Sequence, residues 1–152
     1  MLLHLKDIDG NALPEHMSIG GTVYLQIGDS YFPEENWYDR VDLIFTHWVA
    51  ELHSFYHGST DYCQLMFWDG PCRARLMRSA DCIVTVQCVY DQKIVIGETE
   101  IDQGCFIRSV VKAGNRYLRL LHQQGKADVT ATRALRKLTD EFRTTDGRIY
   151  NE

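Results

Sequence analysis

The sequence predicts an α+β fold: an antiparallel β-sheet meander of about six strands, in the order β-β-α-β-β-β-β-α-α, with helices packed mainly on one face. Three observations predict it. Between Tyr62 and Glu100 four strand-like runs follow one another through short polar turns. Only antiparallel neighbours can be joined so briefly, because parallel strands need crossovers of about a dozen residues. Around that block lie three stretches whose apolar residues recur at helical three-and-four spacing. The composition, 45% apolar and 24% charged, is that of a globular protein, and 152 residues suffice for a single domain, 1–152, with its own core.

Taken in order, Leu3-His4-Leu5 and Val23 to Ile27 alternate like half-buried strands, with a turn at Asp9-Gly10-Asn11 and Gly20-Gly21 opening the second. From Tyr31 to Asp39 the chain reads as an extended arm turning into the best-patterned helix. Pro33 fits its first position, and Glu34, Glu35 and Asp39 place negative charge at the positive end of the dipole. The apolar stripe then runs Trp37, Val41, Ile44, Phe45, Trp48, Leu52, Phe55, and His53, His57 and Gly58 close the helix. Tyr62 to Trp68 carries large apolar groups on both faces, the mark of a central strand. Asp69-Gly70-Pro71 starts a hairpin into Cys72–Met77, with Arg73 and Arg75 outward. A turn at Ser79-Ala80-Asp81 leads to a strand from Cys82 to Tyr90. A turn at Asp91-Gln92 leads to the last strand, from Lys93 to Ile96 and on towards Glu100. Asp102 caps a helix striped by Phe106, Val110, Ala113, Tyr117, Leu120 and Leu121, which ends at Gly125. Its outer face is basic, with Arg108, Lys112, Arg116 and Arg119. Asp128 or Thr130 caps a third helix, whose buried side is Ala134, Leu135, Leu138 and Phe142.

The residues alone name no reaction. His53 and His57 share a helix face at the spacing metal sites use, but no third ligand or His-Glu-x-x-His accompanies them, so surface histidines at a helix end are expected and no metal. Asp69 among aromatics has the setting of a general base, yet no second carboxylate or nucleophile is visible, and Asp before Gly is the ordinary turn residue. Cys63, Cys72, Cys82, Cys88 and Cys105 are odd in number, lack a Cys-x-x-Cys pair and sit in apolar or strand-like contexts, which predicts reduced, buried thiols without a disulfide. Neither glycine pair has the context of a phosphate loop, and the basic helix face reads as solvated rather than as a nucleic-acid groove. No catalytic residue or cofactor is therefore expected. No membrane-spanning run or signal-type start is present, which makes the cytoplasm the expected location.

Charge is unevenly placed. Residues 1–71 hold 2 basic and 11 acidic side chains, a net −9, and residues 72–152 hold 14 and 10, a net +4. An acidic portion repels phosphate backbones and suits a basic protein partner.

Two stretches carry a resemblance: Phe32-Pro33-Glu34-x-x-Trp37-x-Asp39, followed by Trp48, and Phe67-Trp68-Asp69-Gly70-Pro71. The chain resembles small bacterial proteins with an F-P-x-x-x-W-x-D start and an F-x-D-G-P turn, some of them similar to immunity proteins of contact-dependent growth-inhibition and other polymorphic toxin systems. Cys72 after Pro71 and Trp68 depart from the usual pattern. The resemblance implies a cytoplasmic monomer or weak dimer that binds a cognate toxin C-terminal domain, basic and nuclease-like, and engages neither nucleic acid nor membrane. Combined with the charge, it nominates Glu34, Glu35, Asp39, Asp42, Asp61 and Asp69 as contact carboxylates and Tyr31 and Tyr38 as aromatic anchors. The competing expectations are a small metal- or acid/base-dependent enzyme using His53/His57 or Asp69, and a self-associating domain for which Leu43 is the outward apolar hint.

Overall fold

The computed structural model describes residues 1–9, 19–91, 93–126 and 129–149, with the side chains of residues 129 and 141–149 left undescribed. The fold is α+β, with eight strands in two antiparallel sheets and three helices among these residues. The order is β1 (Leu2–Ile8), β2 (Gly20–Ile27), β3 (Ser30–Phe32), β4 (Tyr38–Arg40), α1 (Val41–Tyr56), β5 (Tyr62–Met66), β6 (Cys72–Ala80), β7 (Ile83–Tyr90), β8 (Ile94–Asp102), α2 (Gln103–Gln123) and α3 (Val129–Ile149). The meander anticipated after α1 is present as the second sheet, β5-β6-β7-β8. The six-strand order is corrected by the two short strands, β3 and β4, that precede α1.

Those two strands overturn the expected helix start. Pro33 follows a cis peptide bond, Asn36 is left-handed at φ 64°, and Tyr38–Arg40 pairs with Gly20–Thr22 instead of coiling. Both β3 and β4 lie along the same edge of β2, and between them Val23 N donates to Trp37 O at 2.8 Å. The helix begins only at Val41, with Asp42 as the acid of its first turn, so Pro33, Glu34, Glu35 and Asp39 are not on its dipole. From Val41 onward the stripe holds: Val41, Ile44, Phe45, Trp48, Leu52 and Phe55 are all buried.

β5 is also corrected, from a central strand to an edge strand that pairs, among the described residues, with β6 alone. Its inner residues Cys63 and Leu65 face α1, while Tyr62 and the following Trp68 are exposed. Apolar groups on both sides of β5 reflect a helix beneath and an aromatic rim above, not a sheet on each flank.

Both helix ends left for glycine are present. Ser59 N donates to Ser54 O and Gly58 N to Phe55 O beyond α1, and Lys126 N donates to Leu121 O and Gly125 N to His122 O beyond α2. These are paired Schellman bonds, with Gly58 at φ 70° and Gly125 at φ 67° in the left-handed position that they require. Asp102 caps α2, its Oδ1 accepting from Cys105 N at 2.6 Å. Thr130 lies inside α3 and is not its cap, and Asp128 falls outside the described residues. So do Gly10, Asn11, Gln92 and the side chain of Phe142.

One core joins the two sheets through α1 and α2. It contains Leu3, Leu5, Val23 and Leu25 from the first sheet, Leu65, Ala74, Leu76, Val84 and Val86 from the second, and Phe45 stacked on Tyr117 with centroids 5.2 Å apart. A smaller cluster of Val49, Ile107, Leu135 and Leu138 seats α3. Cys63, Cys72 and Cys88 are buried and all five cysteines are free, but Cys82 and Cys105 are exposed rather than buried as expected. Among the described residues no helix is long and apolar enough to cross a membrane.

Candidate functional site

The two motif stretches meet. β4 pairs Asp39 with Gly21, which turns its carboxylate inward, and the side chain is fully buried. Its oxygens accept from Trp37 Nε1 (2.9 Å), Arg40 N (2.6 Å), Trp68 N (2.9 and 3.1 Å) and Asp69 N (3.2 Å). Burial pushes the Asp39 carboxyl up from its ordinary range, and the hydrogen bonds oppose that rise. The Trp37 ring lies on Gly70, where an added Cβ would come within 3.1 Å of it, and Phe32 meets Phe67 edge-on at 5.7 Å. Trp48 closes the arrangement edge-on to Phe67 at 5.2 Å, with its Nε1 donating to Met66 O at 2.8 Å. This is a clasp between the β3–β4 edge and the turn after β5. Asp39 is thus spent inside the fold and offers no oxygen to a partner, which corrects its nomination as a contact carboxylate.

What the clasp presents outward is aromatic and acidic. Tyr38, half exposed, donates its phenol hydrogen to Asp9 Oδ2. That bond, then burial, then the charges of Asp9, Asp69 and Asp7 push its pKa up to about 12. Asp9 bonds the phenol directly, Asp7 Oδ1 accepts from the N–H of Thr22, the residue opposite Tyr38 across the β2–β4 ladder, and Asp69 is held through Arg40 on the same short strand. Asp69 stands beside it in an ion pair with Arg40 Nε at 3.5 Å, and Glu34 and Glu35 are exposed in the loop between β3 and β4. Trp68 is 41% exposed and edge-on to His47. Sequence reasoning missed Asp7, Asp9 and Trp68. The first two could have been suspected from the charge count, but only the pairing of β1 with β2 and of β2 with β4 puts them next to Tyr38.

The other nominated residues are dispersed. Tyr31, 39% exposed on β3, stands edge-on to Tyr24 in the first sheet. Asp42 is half buried in the first turn of α1. Asp61 lies just before β5 and Asp69 just after it, at opposite ends of the strand and on the order of 20 Å apart. Asp61 pairs with Arg78 Nε at 3.1 Å, and Arg78 also donates to Phe55 O and Gln103 Oε1, so Asp61 helps hold a bridge from β6 to α1 and α2.

Of the catalytic and metal candidates, Asp69 faces Arg40 and is no isolated base. His53 and His57 approach with centroids 4.7 Å apart, and no group of three or more His, Cys, Asp or Glu able to hold a metal ion occurs among the described residues. A polar cleft of about 280 Å³ beside β5 gathers His47, Glu51, Tyr62, Gln64 and Arg73. There Arg73 Nη1 donates to Gln64 Oε1 at 3.1 Å, while its Nε and His47 Nδ1 are buried without a partner among the described residues. The basic face of α2 lies along β1, where Arg116 Nη2 donates to Lys6 O at 2.6 Å. Leu43, the apolar hint for self-association, is half buried. Comparison with family models, with curated proteins and with solved structures finds no match to this chain.

Proposed function

We propose that the chain is an immunity protein of a contact-dependent growth-inhibition or related toxin system, which binds and neutralises a cognate, basic, nuclease-like toxin domain in the cytoplasm. The observation that carries this reading is the half-exposed Tyr38 amid Asp7, Asp9 and Asp69, with Glu34 and Glu35 close by in sequence. A rigid aromatic ringed by carboxylates is the chemistry that anchors a cationic protein surface: the ring supplies apolar contact at small entropic cost, and the charges steer encounter. The clasp supports the same reading, since it fixes this surface from two sheets and spares the partner the cost of ordering it. The motif resemblance adds the class of partner.

The test uses the purified C-terminal domain of the protein encoded by the reading frame immediately upstream, which in this reading is the toxin. Glu34→Lys with Glu35→Lys is expected to slow association roughly tenfold or more at low salt, with the difference closing as salt rises. Tyr38→Ala is expected to speed dissociation, and both variants are expected to protect cells from the toxin less well. Unchanged capture at every ionic strength, with wild-type melting, would remove this face from the interface.

A further inference from the structure

Helices close the outer edges of β1 and β5 to different extents. Along β1, Ser109 Oγ accepts from Leu3 N (3.0 Å), Arg116 donates to Lys6 O and Gln124 Nε2 donates to Ile8 O (3.4 Å), all from α2 or its cap. α1 lies along β5 but answers less of it. Arg78 N donates to Asp61 O and Phe67 N to Cys72 O, so residues 61, 63, 65 and 67 turn their backbone groups towards β6, and Tyr62, Gln64 and Met66 turn theirs away. Thr60 Oγ1 answers both backbone groups of Tyr62, and Trp48 Nε1 donates to Met66 O. Between these two closures the N–H and C=O of Gln64 have no partner among the described residues. Gln64 lines the polar cleft of about 280 Å³, just below the roughly 300–1,000 Å³ of drug-sized ligand sites. The cleft walls carry opposite charges that do not meet: Glu51 stands on α1 and Arg73 on β6, and no ion pair joins them among the described residues. Arg73 Nε and His47 Nδ1, buried and partnerless among the described residues, stand in the same cleft, and such groups are costly until something answers them.

We propose that this cleft binds a free α-amino acid with an uncharged side chain. One carbon bearing both an ammonium and a carboxylate matches one residue offering both a C=O and an N–H, as a neighbouring strand residue would. The ammonium is answered by Gln64 O, the Glu51 carboxylate and His47 Nδ1, three acceptors for its three hydrogens. The carboxylate takes the Gln64 N–H and Arg73 Nε, the second a charge-assisted bond. The ligand side chain rests on Met66, whose flexible thioether adapts to different shapes. A simple anion would face Glu51 and leave it unanswered, and a simple cation would do the same to Arg73. An extended peptide does not fit, because Thr60 and Trp48 close the edge on either side and leave a single residue to pair with.

The test is calorimetric titration of the whole chain with each common α-amino acid of uncharged side chain, then with the amide and the deaminated acid of the tightest binder. At least one amino acid is expected to bind one to one, to slow hydrogen exchange at the Gln64 amide, and to lose affinity roughly tenfold or more when either charge is removed from it. Glu51→Gln and Arg73→Gln, with melting measured for both, are each expected to weaken the amino acid by a similar factor. Glu51→Gln should leave the deaminated acid, which has no ammonium, no weaker than in the wild type, and Arg73→Gln should do the same for the amide. A merely structural role for either residue would weaken every ligand alike. No binding by any amino acid at millimolar concentration, equal binding of the amide or the deaminated acid, or unchanged affinity in both variants would each overturn the proposal. None of these measurements involves a toxin, so they stand or fall separately from the proposed function.

Discussion

At the scale of single residues, Asp39 decides the most. Its carboxylate answers four N–H donors on two stretches of chain, and two of those donors, on Trp68 and Asp69, lie 29 and 30 residues further on. Asp39→Ala leaves those donors buried without an acceptor, and a loss of about 3–5 kcal/mol in urea unfolding is expected. Asp39→Asn keeps one acceptor oxygen but points amide hydrogens at donors, and should fall between that variant and the wild type. A loss below about 1 kcal/mol for Asp39→Ala would mean that the aromatic contacts alone hold the clasp. None of this was readable in the sequence, because in its local setting Asp39 is one more acid after a proline, indistinguishable from a charge on a helix dipole. The exposed acids around Tyr38 were only partly legible: Asp69 lies in the second motif stretch, whereas Asp7 and Asp9 arrive through strand pairing.

At the scale of elements, what could be read was whatever is settled within a few residues. The glycine caps of α1 and α2 and the Asp102 cap depend on neighbours three to five positions away, and each is present. Asp102→Ala should cost about 1 kcal/mol at neutral pH, seen as a lower melting temperature. The Cys105 amide holds the Asp102 carboxyl below its ordinary value of 3.8, with Arg108 adding to this. A depressed carboxyl contributes its stability above the unfolded value and loses it as pH falls through the folded one. The gap between wild type and Asp102→Ala should therefore close in strong acid and be constant from mildly acidic pH upward. Where the sequence misled, two patterns coincided. Pro33 followed by two glutamates imitates a helix start, and Trp37 happens to fall four positions before Val41, so helical spacing extends back over a segment that pairs with β2. Alternation likewise made β5 look central, because apolar groups on both faces of a strand say what lies above and below it and nothing about which of its edges are paired.

At the scale of the molecule, Trp48 connects the parts. It is fully buried, meets Phe67 edge-on and closes the β5 edge through Met66 O, so Trp48→Ala removes core volume and a hydrogen bond together. A cost of about 3–5 kcal/mol is expected, close to the whole stability of many domains, with poor expression as its cellular sign. Wild-type melting of Trp48→Ala would mean that this face of α1 is not core. The closure of β1 by α2 has a consequence for how the chain is made. Leu3 is answered by Ser109, Lys6 by Arg116 and Ile8 by Gln124, separations of 106, 110 and 116 residues. During synthesis β1 and β2 emerge first and can pair at once, but their outer edge stays open until α2 has left the ribosome. At translation rates of about 5–20 residues per second that interval lasts several seconds, during which a nascent chain presents an unguarded strand to chaperones and to its neighbours on the same message.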